Sequence, residues 1–231
     1  MEGLESGLKC FGEFTGRLII EENSAKFEVQ AVTAQKTGWF YDHRYNRQYL
    51  QGLVKGRRVL DVFSYVGAWG IEAAVAGAEH VTCIDSSQNA VDHVMQNAEL
   101  NGVQGRVSAI KGKAVDQLKA LIAEGEKFDA VVLDPPAFIK KRKDQKSGEA
   151  AYRHINELGI RLLNDEGLLV SASCSMTLSN EKLVDTVRGA ARHLDRDAQL
   201  FHVGGQAADH PVHPAIPETD YIKAQFYRLY R

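Results

Sequence analysis

The chain has 231 residues, enough for one large domain with a substantial core, and its 44% hydrophobic and 25% charged content is that of an ordinary globular protein. A formal net charge of −2 excludes a global field that draws in nucleic acid, so any such surface has to be a local patch. Cys10, Cys83 and Cys174 form no CxxC pair, which argues against a zinc site or disulfide framework and fits a reducing, cytoplasmic compartment.

No signal-peptide pattern and no long apolar run is present, so no membrane association is expected. The first segment, residues 1–34, has strand character. "FTGRLIIEE" and "KFEVQAV" flank the turn-forming Asn23-Ser24 and predict a β-hairpin extension. "QKTGWFYDHRYNR" then leads into a short helix. From about residue 57 onward, "RRVLDVF", "HVTCID", "RVSAIK", "FDAVVLD" and "GLLVSAS" read as buried strands separated by helical segments. "SQNAVDHVMQNAELNG" predicts a helix capped by Ser86 or Ser87 and stopped at Gly102. Alternating strands and helices predict a parallel sheet covered on both faces. The last two strands, "QLFHVGG" and "KAQFYRLYR", are joined by the Pro-containing loop "DHPVHPAIPET" and predict an antiparallel edge pair. His210 and His213 in that loop follow no metal-ligand pattern and read as loop structure; no metal is expected.

Ligands of open α/β sheets bind beyond the carboxyl ends of the strands, so chemistry is sought there. The first of these strands ends near Asp61 and runs into "DVFSYVGAWG", whose Gly67 and Gly70 let a ligand approach the backbone. The pattern is not GxGxxG, which disfavours a nicotinamide dehydrogenase. The second strand ends in Asp85, where an acid commonly bonds ribose hydroxyls. Each acid alone is equally a helix cap; together they predict a nucleoside ligand. The fourth strand ends in "LDPPAF", where two prolines stiffen the loop. Asp134 is placed to bond a base edge, and Phe138 either stacks on a flipped base or packs in the core. The fifth strand ends at Cys174 in "SASCS". A buried cysteine is usually a small hydrophobe, so the strand ends leave open whether this one is filler or nucleophile.

Six motifs in order, "QKTGWFYDHRYNR", "LDVFSYVGAWG", "DSSQNAVDHVMQNAELNG", "LDPPAF", "SCSMTLS" and "DHPVHPAIPET", resemble the class I S-adenosylmethionine-dependent methyltransferases that form 5-methylcytosine in large-subunit ribosomal RNA. The resemblance runs from about Gln35 to the C-terminus. It implies a Rossmann-like fold: a mostly parallel seven-stranded sheet with an antiparallel C-terminal edge pair, over residues 35–231, preceded by the hairpin. Family members usually begin with a PUA domain and a small β-rich central domain. This chain is expected to start inside that central domain, as a fragment or a short member. The implied cofactor is S-adenosyl-L-methionine. Asp61, Ser64, Tyr65 and Gly67 surround its methionine part, and Asp85 with Ser86 its ribose. Thr37 and Phe40 close the pocket, and Asp134 and Pro135 border it. Lys113 departs from the family, standing where an acid often faces the adenine amino group; the backbone of Ala114 is the remaining contact there.

The resemblance also implies a role for Cys174. Cytosine C5 is a poor nucleophile, and thiolate addition at C6 activates it. Cys10 lies in the extension and Cys83 inside a strand, which leaves Cys174 as the nucleophile and Asp134 as its catalytic partner on the N3/N4 edge. Pro136 and Phe138 are expected to contact the substrate. The basic run Lys140, Lys141, Arg142, Lys143 and Lys146 is expected to hold RNA phosphates. Arg44 and Arg47 are weaker candidates, and two of Trp39, Phe40 and Tyr41 are expected to pack. RNA, ribosomal by resemblance, is the expected partner, and a homodimer through the hairpin is considered. The rivals are an amino-group nucleic-acid methyltransferase, since "DPPAF" resembles that class's Pro-Pro loop, and a non-catalytic cofactor- or RNA-binding module.

Overall fold

A computed structural model of the protein describes residues 18–29 and 38–231. Cys10, Thr37 and the expected boundary between residues 34 and 35 lie outside the described residues.

The hairpin forms as expected. Strands β1 (Leu18–Glu22) and β2 (Ala25–Val29) pair antiparallel. Asn23 (φ 49°) and Ser24 (φ 70°) are both left-handed, as a two-residue turn between right-twisted strands requires. After α1 (Arg44–Gln51) come β3 (Arg58–Val62), α2 (Ala68–Val75), β4 (His80–Asp85), α3 (Gln88–Leu100) and β5 (Val107–Lys111). The second half adds α4 (Ala114–Ala123), β6 (Phe128–Leu133), α5 (Gln145–Leu162), β7 (Leu163–Ser173), α6 (Asn180–His193), β8 (Asp197–Gly204) and β9 (Lys223–Tyr230).

The main sheet has seven strands in the order β5-β4-β3-β6-β7-β9-β8. Strands β3 to β7 pair in parallel, and β9 enters antiparallel between β7 and β8. This is the Rossmann-like arrangement expected. Strand β7 is longer than its apolar run predicts, because α5 passes directly into Leu163 and Phe128 pairs with it across a register shift.

Side chains alternate along each strand, and the two faces build separate cores. Val59, Cys83, Val132 and Val170 face α2, α3 and the hairpin, with Trp69, Val94 and Phe27 filling that side. Leu60, Val62, Leu133 and Leu169 face the other helices, against Leu118, Ile155 and Val187. The chain reverses its direction of winding between β4 and β6, which flank β3. A crevice opens at that switch point beyond the strand ends. The Leu133↔Ser171 register brings the segments carrying Asp134 and Cys174 off neighbouring strands at the same rim. Among the described residues, no helix is long and apolar enough to cross a membrane.

Candidate active site

A cleft of about 490 Å³ lies at this switch point. That size suits a nucleoside-sized ligand. Its walls come from the segment before α1, the β3–α2 loop, the end of β4, the "DPPAF" loop and the end of β7.

The β3–α2 loop is the most contorted stretch. Phe63 (φ 68°), Tyr65 (φ 51°) and Gly67 (φ 86°) all lie in the left-handed region. Bulky side chains rarely adopt it, and such strain collects at functional sites. The loop is held by its backbone: Phe63 and Ser64 donate N–H bonds to Ile84 O at 2.9 and 3.0 Å. Tyr65 N–H donates to Asp85 Oδ2 at 3.0 Å, and Ser87 N–H to Asp85 Oδ1 at 2.9 Å. These bonds fix the Asp85 carboxylate at the cleft wall. Burial, then the charge of Asp85, pushes the Tyr65 hydroxyl up from its usual range. Ser64 Oγ is buried at the cleft with no protein partner. A fixed carboxylate, an unpartnered hydroxyl and the rings of Phe40, Phe63 and Tyr65 fit a nucleoside bearing an amino-acid tail. Ser87 caps α3, accepting from Ala90 N–H at 3.4 Å, which leaves Ser86 in the cleft wall.

Some expected contacts lie elsewhere. Asp61 does not line the cleft. It is fully buried beneath it, where Oδ2 accepts from Gly70 N–H at 2.9 Å and Oδ1 has no partner. Burial, opposed by the Gly70 bond, pushes its carboxyl up to about 7. The strand's alternation explains the displacement: position 61 points under α2 rather than over the rim. Gly67 is the left-handed cap of α2 and carries no cleft surface; a Cβ there would meet Ile71 and Val94. Ala114 opens α4 and packs on the second core, and Lys113 is exposed outside the cleft.

At the other end, Asp134, Pro135, Pro136 and Cys174 line the cleft together. Asp134 Oδ2 accepts from Trp69 Nε1–H at 2.9 Å, and His43 Nε2 stands 3.6 Å from Oδ1. Phe138 does not reach the cleft. It packs against Tyr152 (ring centroids 4.8 Å apart) and Phe63 (6.3 Å), the core alternative for that residue. Tyr152 is completely buried, and its hydroxyl joins Ser173 and Ser175 in a hydrogen-bonded cluster on either side of Cys174. Cys83 is buried on the first core face, and burial pushes its thiol well up.

Lys140, Lys141, Lys143 and Lys146 are exposed around the short turn that leads into α5 at Gln145. The side chain of Arg142 lies outside the described residues. Arg47 is not on the outer surface: it is 2% exposed, paired with Glu22 and Glu72, and lines the inner wall of the cleft. Arg44 bonds Asp209 at 3.2 Å. Trp39 packs against Phe27, Phe40 lines the cleft edge-on to Tyr65, and Tyr41 is exposed. His210 and His213 brace the β8–β9 loop. Among the described residues, no group of three His, Cys, Asp or Glu side chains is placed to hold a metal.

Sequence reading did not find Asp42, His43, Trp69 or Lys223. Asp42 is buried in the cleft wall, where Oδ2 accepts from Tyr221 O–H at 3.1 Å and Oδ1 has no partner. No spacing rule joins residues 42, 69 and 223 to position 134 or 174; the "DHR" inside the first motif was the one available hint.

Comparison with known proteins agrees with this picture. Residues 45–197 match the family model described as conserved hypothetical protein 95. The "Ribosomal RNA large subunit methyltransferase I" of Aeromonas salmonicida is 38% identical over 215 residues, covering 93% of this chain and 54% of that protein. The chain thus spans about half the length of the curated relatives it matches. A Streptococcus mutans protein assigned as a SAM-dependent methyltransferase superposes with a TM-score of 0.84 at 20% identity, over 94% of this chain and 56% of that one. A structure assigned as a methyltransferase complexed with SAH does so with the same score and identity, over 94% and 57%. With a methyltransferase-type sheet carrying the match across α1 to β8, the chain belongs to the conserved hypothetical protein 95 family.

Proposed function

We propose that the chain is an S-adenosylmethionine-dependent methyltransferase of large-subunit ribosomal RNA that forms 5-methylcytosine, working in the cytoplasm. The observation that carries this reading is the convergence of Cys174 and Asp134 on the cleft whose other end holds Asp85, Ser64 and Tyr65. The 38% identity to a ribosomal RNA large subunit methyltransferase supports the substrate class.

Asp85 and Ser86 would hold the cofactor's ribose, with Ser64, Tyr65 and Phe40 around the rest. When bound, that cofactor supplies an electrophilic methyl group on a sulfonium. The Cys174 thiolate adds to cytosine C6, and the displaced electron pair makes C5 nucleophilic. Asp134, held by Trp69, accepts from the N4 amino group and from the N3–H formed as N3 takes up a proton during attack at C6. After transfer, loss of the C5 proton restores the C5–C6 double bond and expels the thiolate. Pro136 stiffens the rim beside the target base. Lys140, Lys141, Lys143 and Lys146 hold phosphates without reading sequence.

The test is trapping. With fluorine at C5, 5-fluorocytosine has no C5 proton to give up after methyl transfer, and fluorine cannot leave as a cation, so the thiolate is not expelled and the covalent adduct persists. An adduct mapped by mass spectrometry to Cys174, and missing in Cys174→Ala, is the expected result. Methyl transfer to ordinary RNA that survives in Cys174→Ala would sink the cytosine-5 reading in favour of amino-group methylation.

A further inference from the structure

Lys223 is the first residue of β9 and is only 4% exposed. A lysine is rarely buried unless its charge has a use or a partner. Its Nζ donates to Ser175 O at 2.9 Å and to Tyr221 O at 3.2 Å. One of those carbonyls belongs to the residue directly after Cys174. The other belongs to the residue whose hydroxyl bonds Asp42 in the cleft wall. No carboxylate takes a hydrogen bond or ion pair from Lys223 among the described residues. Burial lowers its ammonium from the usual range, while Asp220 and Cys174 pull it back up. Two carbonyl acceptors, with the charge of Asp220 and the neighbouring Cys174, hold this buried ammonium in place.

We propose that Lys223 is a positioning residue that sets the reactivity of Cys174: its fixed ammonium stabilises the thiolate, and its bond to Ser175 O pins the backbone that aims the sulfur into the cleft. The proposal rests on Cys174 being the nucleophile. A neighbouring cation is the usual means of lowering a thiol's pKa. The proton leaves the sulfur for solvent through the cleft, and Lys223 stays an ammonium throughout, its N–H groups given to acceptors. The other groups facing the sulfur work against ionisation or are neutral. From α5, the Tyr152 hydroxyl bonds Ser173 and Ser175 on either side of Cys174, and Tyr221 offers its carbonyl to Lys223 just before β9. Asp134 stands across the cleft, Asp42 lies behind Tyr221, and Asp220 offsets part of the Lys223 charge. Arg47 also lines the cleft but is paired with Glu22 and Glu72, and His43 stands by Asp134; Lys223 is the cation hydrogen-bonded to the backbone that carries Cys174.

The test is the pH dependence of Cys174 alkylation by iodoacetamide, followed by mass spectrometry of the Cys174 peptide. It needs neither RNA nor methyl transfer. In the unmodified protein the sulfur should titrate below the ordinary thiol value of about 8.5. Lys223→Met, close in length and apolar, should raise that midpoint and slow alkylation at pH 7 by about tenfold, the change in thiolate fraction for one unit. Lys223→Arg keeps the charge and should stay within about twofold of the parent. Circular dichroism and binding of S-adenosylhomocysteine establish that each variant is folded. A parent midpoint at or above about 8.5 overturns the proposal without recourse to any variant. So does a Lys223→Met profile that overlays the parent, or a Lys223→Arg profile that matches Lys223→Met. If the profiles behave as expected but Cys174→Ala still methylates RNA, the activation stands and the cytosine-5 reading falls.

Discussion

His43 stands 3.6 Å from Asp134, the acid proposed to bind the target base, and its own ring is held from behind. The Asn46 amide nitrogen donates to Gly205 O at 2.9 Å, which fixes the amide's orientation, and it also contacts His43 Nδ1 at 3.0 Å. A donor facing Nδ1 makes that nitrogen the acceptor and leaves the N–H on Nε2, which is buried 3.6 Å from Asp134 Oδ1 and makes no hydrogen bond there. The support reaches further back: a Cβ on Gly204 would fall 1.9 Å from Asn46 Oδ1, so that glycine makes room for the amide. His43→Ala should lower the single-turnover rate of methyl transfer by about tenfold or more, since small misplacements of a reacting group are costly. His43→Gln, which keeps an N–H near the Nε2 position, should recover part of the loss. Cofactor affinity should stay near that of the parent in both. Equal rates for the two variants would mean that His43 fills space and orients nothing. None of this is legible in "YDHRYNR", because the partner of His43 lies at position 134 and the chain gives no sign that the two meet.

Elements tell a different story, because their limits are set locally and their docking is not. The ends of α3 follow from Ser87 and the left-handed Gly102, both readable in the sequence. The hairpin followed from Asn23-Ser24. How the hairpin attaches did not, because side chains on α3 take the place of a third strand. Lys26 N–H donates to Asn101 Oδ1 and Glu28 N–H to Asn97 Oδ1, both at 2.8 Å. Asn97 also donates to Val66 O at 3.0 Å, tying β2 to the loop that leads into α2. Spaced four apart on the helix, the two asparagines match alternate residues on the strand. Asn97 is fully buried, so Asn97→Ala strands a backbone donor and an acceptor and should cost about 2–3 kcal/mol in urea denaturation. Asn101→Ala is exposed to water and should cost about 1 kcal/mol or less. Hydrogen exchange at Glu28 should speed up in Asn97→Ala. An unchanged midpoint would show that the hairpin is held by Phe27 and its apolar neighbours alone.

Over the whole molecule, the sheet was the legible part: five apolar runs, each ending in a turn, admit few arrangements, and the strand ends located the cleft. What could not be read was which acids face the cleft and which face the core, because one residue's step along a strand decides it. Asp61 and Asp85 look alike in sequence, yet Asp85 is in the cleft wall and Asp61 is fully buried below it. That difference has a global consequence. Burial pushes Asp61 up to about 7 from an ordinary 3.8, and burial, opposed by Arg47, pushes the Glu72 carboxyl up from its usual range. Between the ordinary and the raised values the folded state holds protons that the unfolded chain has released, so stability falls as pH rises. The Asp61 contribution is fully present below about pH 4 and lost by about pH 7. Between pH 5 and pH 7 one such group accounts for on the order of 2 kcal/mol. Glu72 acts in the same direction toward higher pH. The parent should therefore lose urea resistance between pH 5 and pH 8. Asp61→Asn keeps an acceptor for Gly70 N–H and cannot ionise, so its loss over the same range should be smaller. Equal slopes would mean that Asp61 gives up its proton in the folded protein as readily as in the unfolded chain.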